Sequence, residues 1–122
     1  MTVERQALGI AGENAAVAEL ERRGYAVIER RYRTRHGEID IVAEDGDTIV
    51  FVEVKVRAGA ERGTAAEAVT VAKQRKVVAM ARDYLSRHRL TDRRCRFDVV
   101  AIDGIGEGER LTVYRGAFDA SR

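Results

Sequence analysis

The chain has 122 residues, 45% of them hydrophobic, which suits one small folded domain over residues 1–122 and argues against a disordered chain. Its charge is nearly balanced, with 22 lysine and arginine residues against 20 aspartate and glutamate residues, so net charge alone indicates no class of partner. A lone cysteine excludes an internal disulfide, and the lack of a secretion signal or of about 20 consecutive apolar residues predicts a cytoplasmic protein with no membrane association.

The first half of the chain is predicted to form a helix and three strands. Leucine and alanine recur at helical spacing over residues 4–23, and Gly24 ends this helix. Residues 25–32 favour a first strand. Two β-rich runs, residues 39–43 and 48–56, are separated by an Asp-Gly-Asp sequence that favours a tight turn, so we predict a β-hairpin.

The second half is predicted to form one helix and two strands. A glycine-containing loop, with Gly59 and Gly63, leads to a helical pattern for which Thr70 is the predicted N-cap. Residues 97–102 favour a fourth strand, and residues 111–114 favour a short last strand after a glycine-rich turn. This order, αβββαβ followed by one more strand, predicts a mixed central sheet with helices packed against it, an α/β fold.

The second strand of the hairpin departs from a core pattern on one face. Alternation places its valines together on one face, whereas the other face begins with Ile49 and Phe51 and continues with Glu53 and Lys55. Charge therefore stands where a core would hold further apolar side chains, and such departures concentrate at functional sites. The alternatives are that this face emerges into solvent, or that Glu53 and Lys55 pair with each other.

Both registers of the predicted hairpin bring Asp40 to the face of Glu53 and Lys55. With residues 45–46 as the loop Asp40 lies diagonal to Glu53, and with residues 46–47 it lies directly opposite. Two neighbouring carboxylates on a half-buried face repel each other unless a cation joins them. Mg²⁺ takes oxygen ligands, commonly one or two carboxylates together with substrate phosphate. With Lys55 near the phosphate or the attacking water, this spacing points to metal-assisted phosphodiester cleavage.

Motifs spread over residues 9–103 resemble those of a known family. They are Gly12-Glu13-Asn14-Ala15-Ala16, Gly24-Tyr25, Gly37-Glu38-Ile39-Asp40-Ile41, Phe51-Val52-Glu53-Val54-Lys55 with Arg57, Lys73-Gln74, and Arg96-Phe97-Asp98-Val99-Val100. Together they resemble the YraN-like family of predicted endonucleases, within the PD-(D/E)XK nuclease superfamily and related to archaeal Holliday junction resolvases. The chain departs from the superfamily pattern at Ile39, where the proline that gives the superfamily its name would stand.

The resemblance implies a restriction-endonuclease-like αβββαβ core and a Mg²⁺- or Mn²⁺-dependent endonuclease that hydrolyses DNA. It implies that Asp40, Glu53 and the Val54 carbonyl hold the metal, and that Lys55 orients or activates the attacking water. Glu13 matches a helical acid that lies near the metal directly or through water; the alternative is an ordinary solvated helix glutamate. The expected substrate is structured or branched DNA in repair or recombination. The related resolvases act as dimers, which implies a homodimer.

Basic side chains are the candidates for docking the nucleic-acid backbone. Nineteen of the 22 basic residues are arginines, which suit phosphate, although a GC-rich genome produces the same excess. The candidates are the basic residues Arg30, Arg31, Arg33, Arg35, Arg57 and Lys73, together with the neutral polar residue Gln74. Two alternatives remain open: a non-catalytic nucleic-acid-binding module that retains the nuclease fold, and a salt-bridged structural domain. Glu38 and Asp98, near predicted strand ends, are interpreted as solvated or structural.

Overall fold

The computed structural model describes residues 3–57, 69–104 and 108–120, with side chains described from residue 9 onward. The elements in chain order are α1 (Val3–Arg22), β1 (Ala26–Thr34), β2 (Gly37–Asp45), β3 (Thr48–Arg57), α2 (Val71–Arg87), β4 (Cys95–Asp103) and β5 (Arg110–Phe118). This is the predicted order of helices and strands. The predicted loop at Gly59 and Gly63 lies outside the described residues.

The five strands form one mixed sheet in the order β1-β2-β3-β4-β5. The first three strands are antiparallel to one another, β3 is parallel to β4, and β4 is antiparallel to β5. Parallel neighbours need a crossover connection, and α2 lies within the one that joins β3 to β4. The predicted mixed α/β fold is therefore confirmed, and it is consistent with a restriction-endonuclease-like core.

A helix covers each face of the sheet. On one face, Leu20 of α1 packs with Val52 and other branched side chains of the central strands. On the other face, Tyr84 of α2 packs with Phe51 and the neighbouring aromatic residues. The alternation predicted for β3 is thus correct, and this strand is buried on both faces. No helix in the described part of the chain is long and apolar enough to cross a membrane.

The last strand is longer than predicted. The sequence pattern ends it at residue 114, whereas β5 continues to Phe118. Gly116 has a φ of 60°, a conformation that glycine adopts readily, and the pairing with β4 shifts register opposite Asp98. The carboxylate of Asp98 accepts the Gly116 N–H at 2.9 Å. The strand therefore passes through a bulge that is held by a buried acid from the next strand.

Gly12 allows α1 to approach the sheet closely. A Cβ at this position would overlap Cγ2 of Val56 on β3. We expect Gly12→Ala to lower the free energy of unfolding by roughly 1–3 kcal/mol, because the added methyl must displace the helix or the valine. Denaturant unfolding would measure it, with Gly9→Ala as the matched control on the same helix. Gly9 has open space around it, so its replacement should be neutral or stabilising. Equal stability of Gly12→Ala and wild type would contradict the close approach.

Candidate active site

The β2–β3 hairpin brings Asp40 to the backbone beside Glu53. Residues 46–47 form the loop, which is the second of the two predicted registers. The backbone ladder between the two strands ends at Ile41. Just beyond it, Oδ2 of Asp40 accepts the N–H of Val54 at 2.8 Å. The Asp40 carboxylate therefore replaces a ladder carbonyl and is held next to Glu53.

The regular pleat is interrupted beside Asp40. Ile39 packs into the core under α2, whereas Ile41 packs into the core under α1, although a regular strand would place both on one face. On β1, the neighbours of Arg31 pair with these two isoleucines, and Arg31 itself has a φ of 55°. This left-handed conformation is uncommon for a residue with a side chain, and backbone outliers of this kind cluster at functional sites.

Glu53 is a buried acid whose surroundings do not fully compensate a negative charge on its carboxylate. The residue is 1% exposed, and neither carboxylate oxygen has a hydrogen-bond partner in the structure. Burial, reinforced by the negative charge of Asp40, raises the pKa of Glu53 to about 8. Lys73 opposes this shift, and its Nζ lies 3.3 Å from Oε1 of Glu53. The partner that the sequence suggested for Glu53, Lys55, is thus replaced by a lysine from α2.

This arrangement fits a divalent cation. Unpartnered buried oxygens are costly, and a cation between two carboxylates removes both the repulsion and the missing contacts. The ligands available are the carboxylates of Asp40 and Glu53 and the backbone carbonyl of Val54, all of them the oxygen ligands that Mg²⁺ and Mn²⁺ prefer. Within residues 3–57, 69–104 and 108–120, no group of three or more His, Cys, Asp or Glu side chains could hold a metal ion. A site here would therefore combine two carboxylates with backbone, water and substrate oxygens.

Glu13 of α1 is paired with two arginines of β1. The residue is 7% exposed, so it is not a solvated helix glutamate. Its Oε1 lies 2.7 Å from Nε of Arg30, and its Oε2 lies 3.0 Å from Nε of Arg31. The hydrogen bond with Glu13 raises the pKa of Arg31, and the charge of Asp40 adds to the shift. The negative charges of Glu13 and Asp40 therefore both act on the Arg31 guanidinium, although only Glu13 bonds it.

The remaining candidates of the predicted site lie on β3 and at the start of α2. Lys55 follows Glu53 by two residues on β3 and is half-buried. The predicted N-cap of α2 is confirmed, since the Thr70 side chain accepts the N–H of Lys73 at 3.2 Å. Gln74 donates its side-chain N–H to the carbonyl of Val69 at 3.2 Å, which leaves its Oε1 buried and unpartnered. The cap thus fixes the first turn of α2, which carries the Lys73 that contacts Glu53.

Acids already pair several of the arginines predicted to contact nucleic acid. Besides the two that bond Glu13, Arg33 bonds Glu38 on the neighbouring strand, with 2.7 Å between Nε and Oε2. Arg35 borders a cleft of about 270 Å³ between the β1–β2 turn and α2. Arg57 ends β3, in register with Asp103 of β4. An arginine has five N–H donors, so a guanidinium with one acid partner keeps donors for phosphate.

The second buried acid, Asp98, is structural. It is fully buried and accepts hydrogen bonds from the Tyr25 hydroxyl at 2.8 Å, from Arg96 Nε at 2.9 Å and from the Gly116 amide at 2.9 Å. Arg96 also contacts Asp45 at 3.0 Å, and its hydrogen bond with Asp98 raises the pKa of this guanidinium. The carboxylate is completely satisfied, which confirms the structural interpretation made from the sequence and distinguishes Asp98 from Glu53.

A cleft over the last two strands of the sheet was not predicted from the sequence. It has a volume of about 470 Å³ and is lined by Val69 and Gln74 on one side and by Val99, Tyr114 and Phe118 of the last two strands on the other. The apolar pattern of the sequence ends the last strand at residue 114, so it does not indicate the wall of the cleft that contains Phe118. Continued apolar residues after the glycine at 116 were the available signal.

The fold and the acid pair together define a mixed α/β protein with a restriction-endonuclease-like core and a buried candidate metal site. The chain belongs to the family described as Uncharacterised protein family UPF0102, whose model matches residues 12–102. A UPF0102 protein of Desulforapulum autotrophicum is 48% identical over 118 residues, which cover 97% of this chain and 98% of the relative. The YraN-like family expected from the sequence is thereby confirmed.

Two further relatives match over almost the whole chain. A UPF0102 protein of Myxococcus xanthus is 48% identical over 96% of this chain and 93% of its own length. A UPF0102 protein of Geobacter metallireducens is 44% identical over 98% of both chains. The similarity therefore includes every described strand and helix rather than the acid pair alone.

Proposed function

We propose that this protein is a Mg²⁺- or Mn²⁺-dependent endonuclease of the PD-(D/E)XK superfamily that hydrolyses DNA phosphodiester bonds. One observation carries the proposal: Glu53 is buried beside Asp40, neither of its oxygens has a hydrogen bond, and a lysine, Lys73, lies in ionic contact with one of them. A structural role would favour a satisfied carboxylate such as Asp98, whereas a cation site requires free oxygens in the apoprotein. Lys55, two residues along the same strand, completes the acid and lysine set of such nucleases.

Each residue has a distinct role in the proposed hydrolysis. Asp40, Glu53 and the Val54 carbonyl would hold the cation, which when bound stabilises the negative charge that develops on the phosphate. Lys55 positions the attacking water in line with the leaving oxygen. The water oxygen joins the phosphorus, the P–O3′ bond breaks, and a proton ends on the 3′ oxygen. The products are a 5′-phosphate and a 3′-hydroxyl.

The arginines of β1 support a nucleic-acid substrate. Arg33 lies on β1, next to the strand that carries Asp40, and its side chain is 82% exposed. Arginine contacts to phosphate supply affinity without reading base sequence, which suits an enzyme that recognises DNA structure. We propose structured or branched DNA, in repair or recombination in the cytoplasm, as the substrate. A homodimer would supply two cutting sites for a four-way junction.

Asp40→Asn is the direct test of the proposal. Calorimetric titration with Mn²⁺ and Mg²⁺ should show binding to wild type and none to the variant, because one of two carboxylate ligands loses its charge. Nicking of single-stranded, duplex and branched DNA should fall at least about a hundredfold. Retention on DNA at low salt should survive, since the arginines are unchanged. Glu38→Gln, two residues earlier on the same strand, is the matched control and should keep both metal binding and cleavage.

Cleavage by purified Asp40→Asn at the wild-type rate would show that the acid pair is not the active site. Failure of wild type to bind metal or to cleave any of these substrates, with DNA retention intact, would instead favour the nucleic-acid-binding module. In that case DNA retention should weaken as the salt concentration rises, because the affinity of such a module would come from phosphate contacts.

A further inference from the structure

We infer that the 470 Å³ cleft over β4 and β5 receives an unpaired nucleobase of the DNA strand whose phosphate lies at the acid pair. The inference rests on the proposed function for the position of the phosphate, and it adds a substrate class: DNA with an unstacked nucleotide at or beside the cut. The cleft contains none of the proposed metal ligands.

The strand registers place the cleft in one row with the acid pair. Glu53 of β3 lies beside Val99 of β4, and Val99 lies opposite Tyr114 of β5. Val99 belongs to the core under α2, so all three side chains are on that face of the sheet. Neighbouring strands are about 4.8 Å apart, which puts the Tyr114 backbone about 10 Å from that of Glu53. The cleft therefore lies about 10 Å from the acid pair, within reach of a base attached to a phosphate held there.

The surfaces of the cleft suit a flat aromatic ligand. The lining of the cleft includes Phe118, whose ring stacks on that of Phe97 with ring centroids 5.0 Å apart. Tyr114 borders the cleft and is 38% exposed, although a tyrosine on a sheet facing a helix is usually covered. An exposed aromatic ring beside a phosphate site is the usual platform for base stacking. Gln74 adds a polar side chain to the lining of the cleft.

A base inside a duplex cannot use this cleft. Both of its faces are stacked and only its edges are open in the grooves, so a base must be unpaired and unstacked to place a face against a protein ring. Single-stranded segments, flaps and branch points offer such bases. The cleft would thus favour these substrates over fully paired DNA, through stacking rather than through base identity, because every base has an aromatic face.

The test compares binding of two DNAs in EDTA at low salt, where no cleavage occurs. One is a single-stranded 12-mer with a central 2-aminopurine, and the other is the same oligonucleotide fully paired. Wild type should bind the single strand and quench its fluorescence. Tyr114→Ala should weaken single-strand binding about tenfold and remove the quenching, with duplex affinity changed less than about twofold. Tyr114→Phe, which keeps the ring, should behave as wild type.

Two further variants keep the experiment decisive. Tyr114→Leu retains an apolar side chain without an aromatic face, so it replaces the alanine variant if that variant unfolds. Ile28→Ala removes another exposed apolar side chain, on β1 at the opposite edge of the sheet, and should change neither affinity.

The outcomes separate this inference from the nuclease assignment. Base binding in the cleft is contradicted if the wild type leaves the fluorescence unquenched, or if Tyr114→Leu loses single-strand and duplex binding equally. Neither result would contradict metal-dependent cleavage. A selective effect of Tyr114 in a protein that cleaves nothing with Mg²⁺ or Mn²⁺ supports the cleft and removes only the nuclease assignment.

Discussion

Replacing Glu53 by glutamine is expected to stabilise the metal-free protein at pH 8 and above while removing its affinity for Mn²⁺. The pKa of Glu53 is raised from 4.5 to about 8 in the folded protein, mainly by burial. The folded state therefore holds a proton that the unfolded state has released between these two values. Stability from this group is complete below about pH 4.5, declines by at most about 1.4 kcal/mol per pH unit, and is lost once the pH exceeds about 8.

Denaturant unfolding in EDTA at pH 5, 7 and 9 measures this effect. Wild type should lose stability relative to Glu53→Gln as the pH rises, and the difference should reach several kcal/mol at pH 9. Glu38→Gln, which removes a surface acid paired with Arg33, controls for the change of one charge and should run parallel to wild type. Parallel curves for Glu53→Gln and wild type would show that Glu53 ionises normally in the folded protein.

Addition of Mn²⁺ should make the wild type more stable than Glu53→Gln, the reverse of the order expected without metal. If the proposed site is correct, Mn²⁺ should bind the folded wild type and raise its free energy of unfolding according to metal concentration, whereas Glu53→Gln lacks a charged ligand and should not respond. A site whose removal stabilises the apoprotein is maintained for binding or chemistry rather than for folding. Stabilisation of Glu53→Gln by Mn²⁺ equal to that of wild type would place the metal elsewhere.

Among the described polar side chains, replacement of Asp98 by alanine is expected to cause the largest loss in the free energy of unfolding, about 3–5 kcal/mol. The alanine removes the acceptor for the Tyr25 hydroxyl and the Gly116 amide and leaves the Arg96 guanidinium without its main partner. The β5 bulge loses its anchor at the same time. Thermal and denaturant unfolding with circular dichroism would measure the loss.

Glu44→Ala is the matched control for Asp98→Ala. Glu44 also pairs with an arginine, Arg93, with 2.9 Å between the charged atoms, but both side chains are about one third exposed. Solvent screens such a pair, so its removal should cost less than about 1 kcal/mol. Asp98→Asn keeps an acceptor oxygen and should lie between the two. Equal losses for Asp98→Ala and Glu44→Ala would contradict the central role of the buried network.

The sequence by itself determined the elements and the faces of β3. Alternation along a strand is a local property, so Glu53 could be placed opposite the valine face without knowledge of the fold. With a two-residue loop, the Asp-Gly-Asp turn likewise left two registers for the hairpin, and both put Asp40 beside Glu53; a three-residue loop would not have done so. The N-cap at Thr70 followed from the same local rules, since its bond is to the backbone three residues later.

Only the tertiary structure decided which charges meet. Glu13 and Arg31, like Glu53 and Lys73, come from elements whose contact depends on helix packing, and one arginine among many carries no signal of its partner. The length of β5 depended on a bulge that Asp98 holds from another strand. Burial, which raises the pKa of Glu53 and leaves its oxygens without hydrogen bonds, is a property of the packed molecule. Local sequence sets which face a side chain occupies, whereas its charge state and partners depend on what the rest of the chain brings to that face.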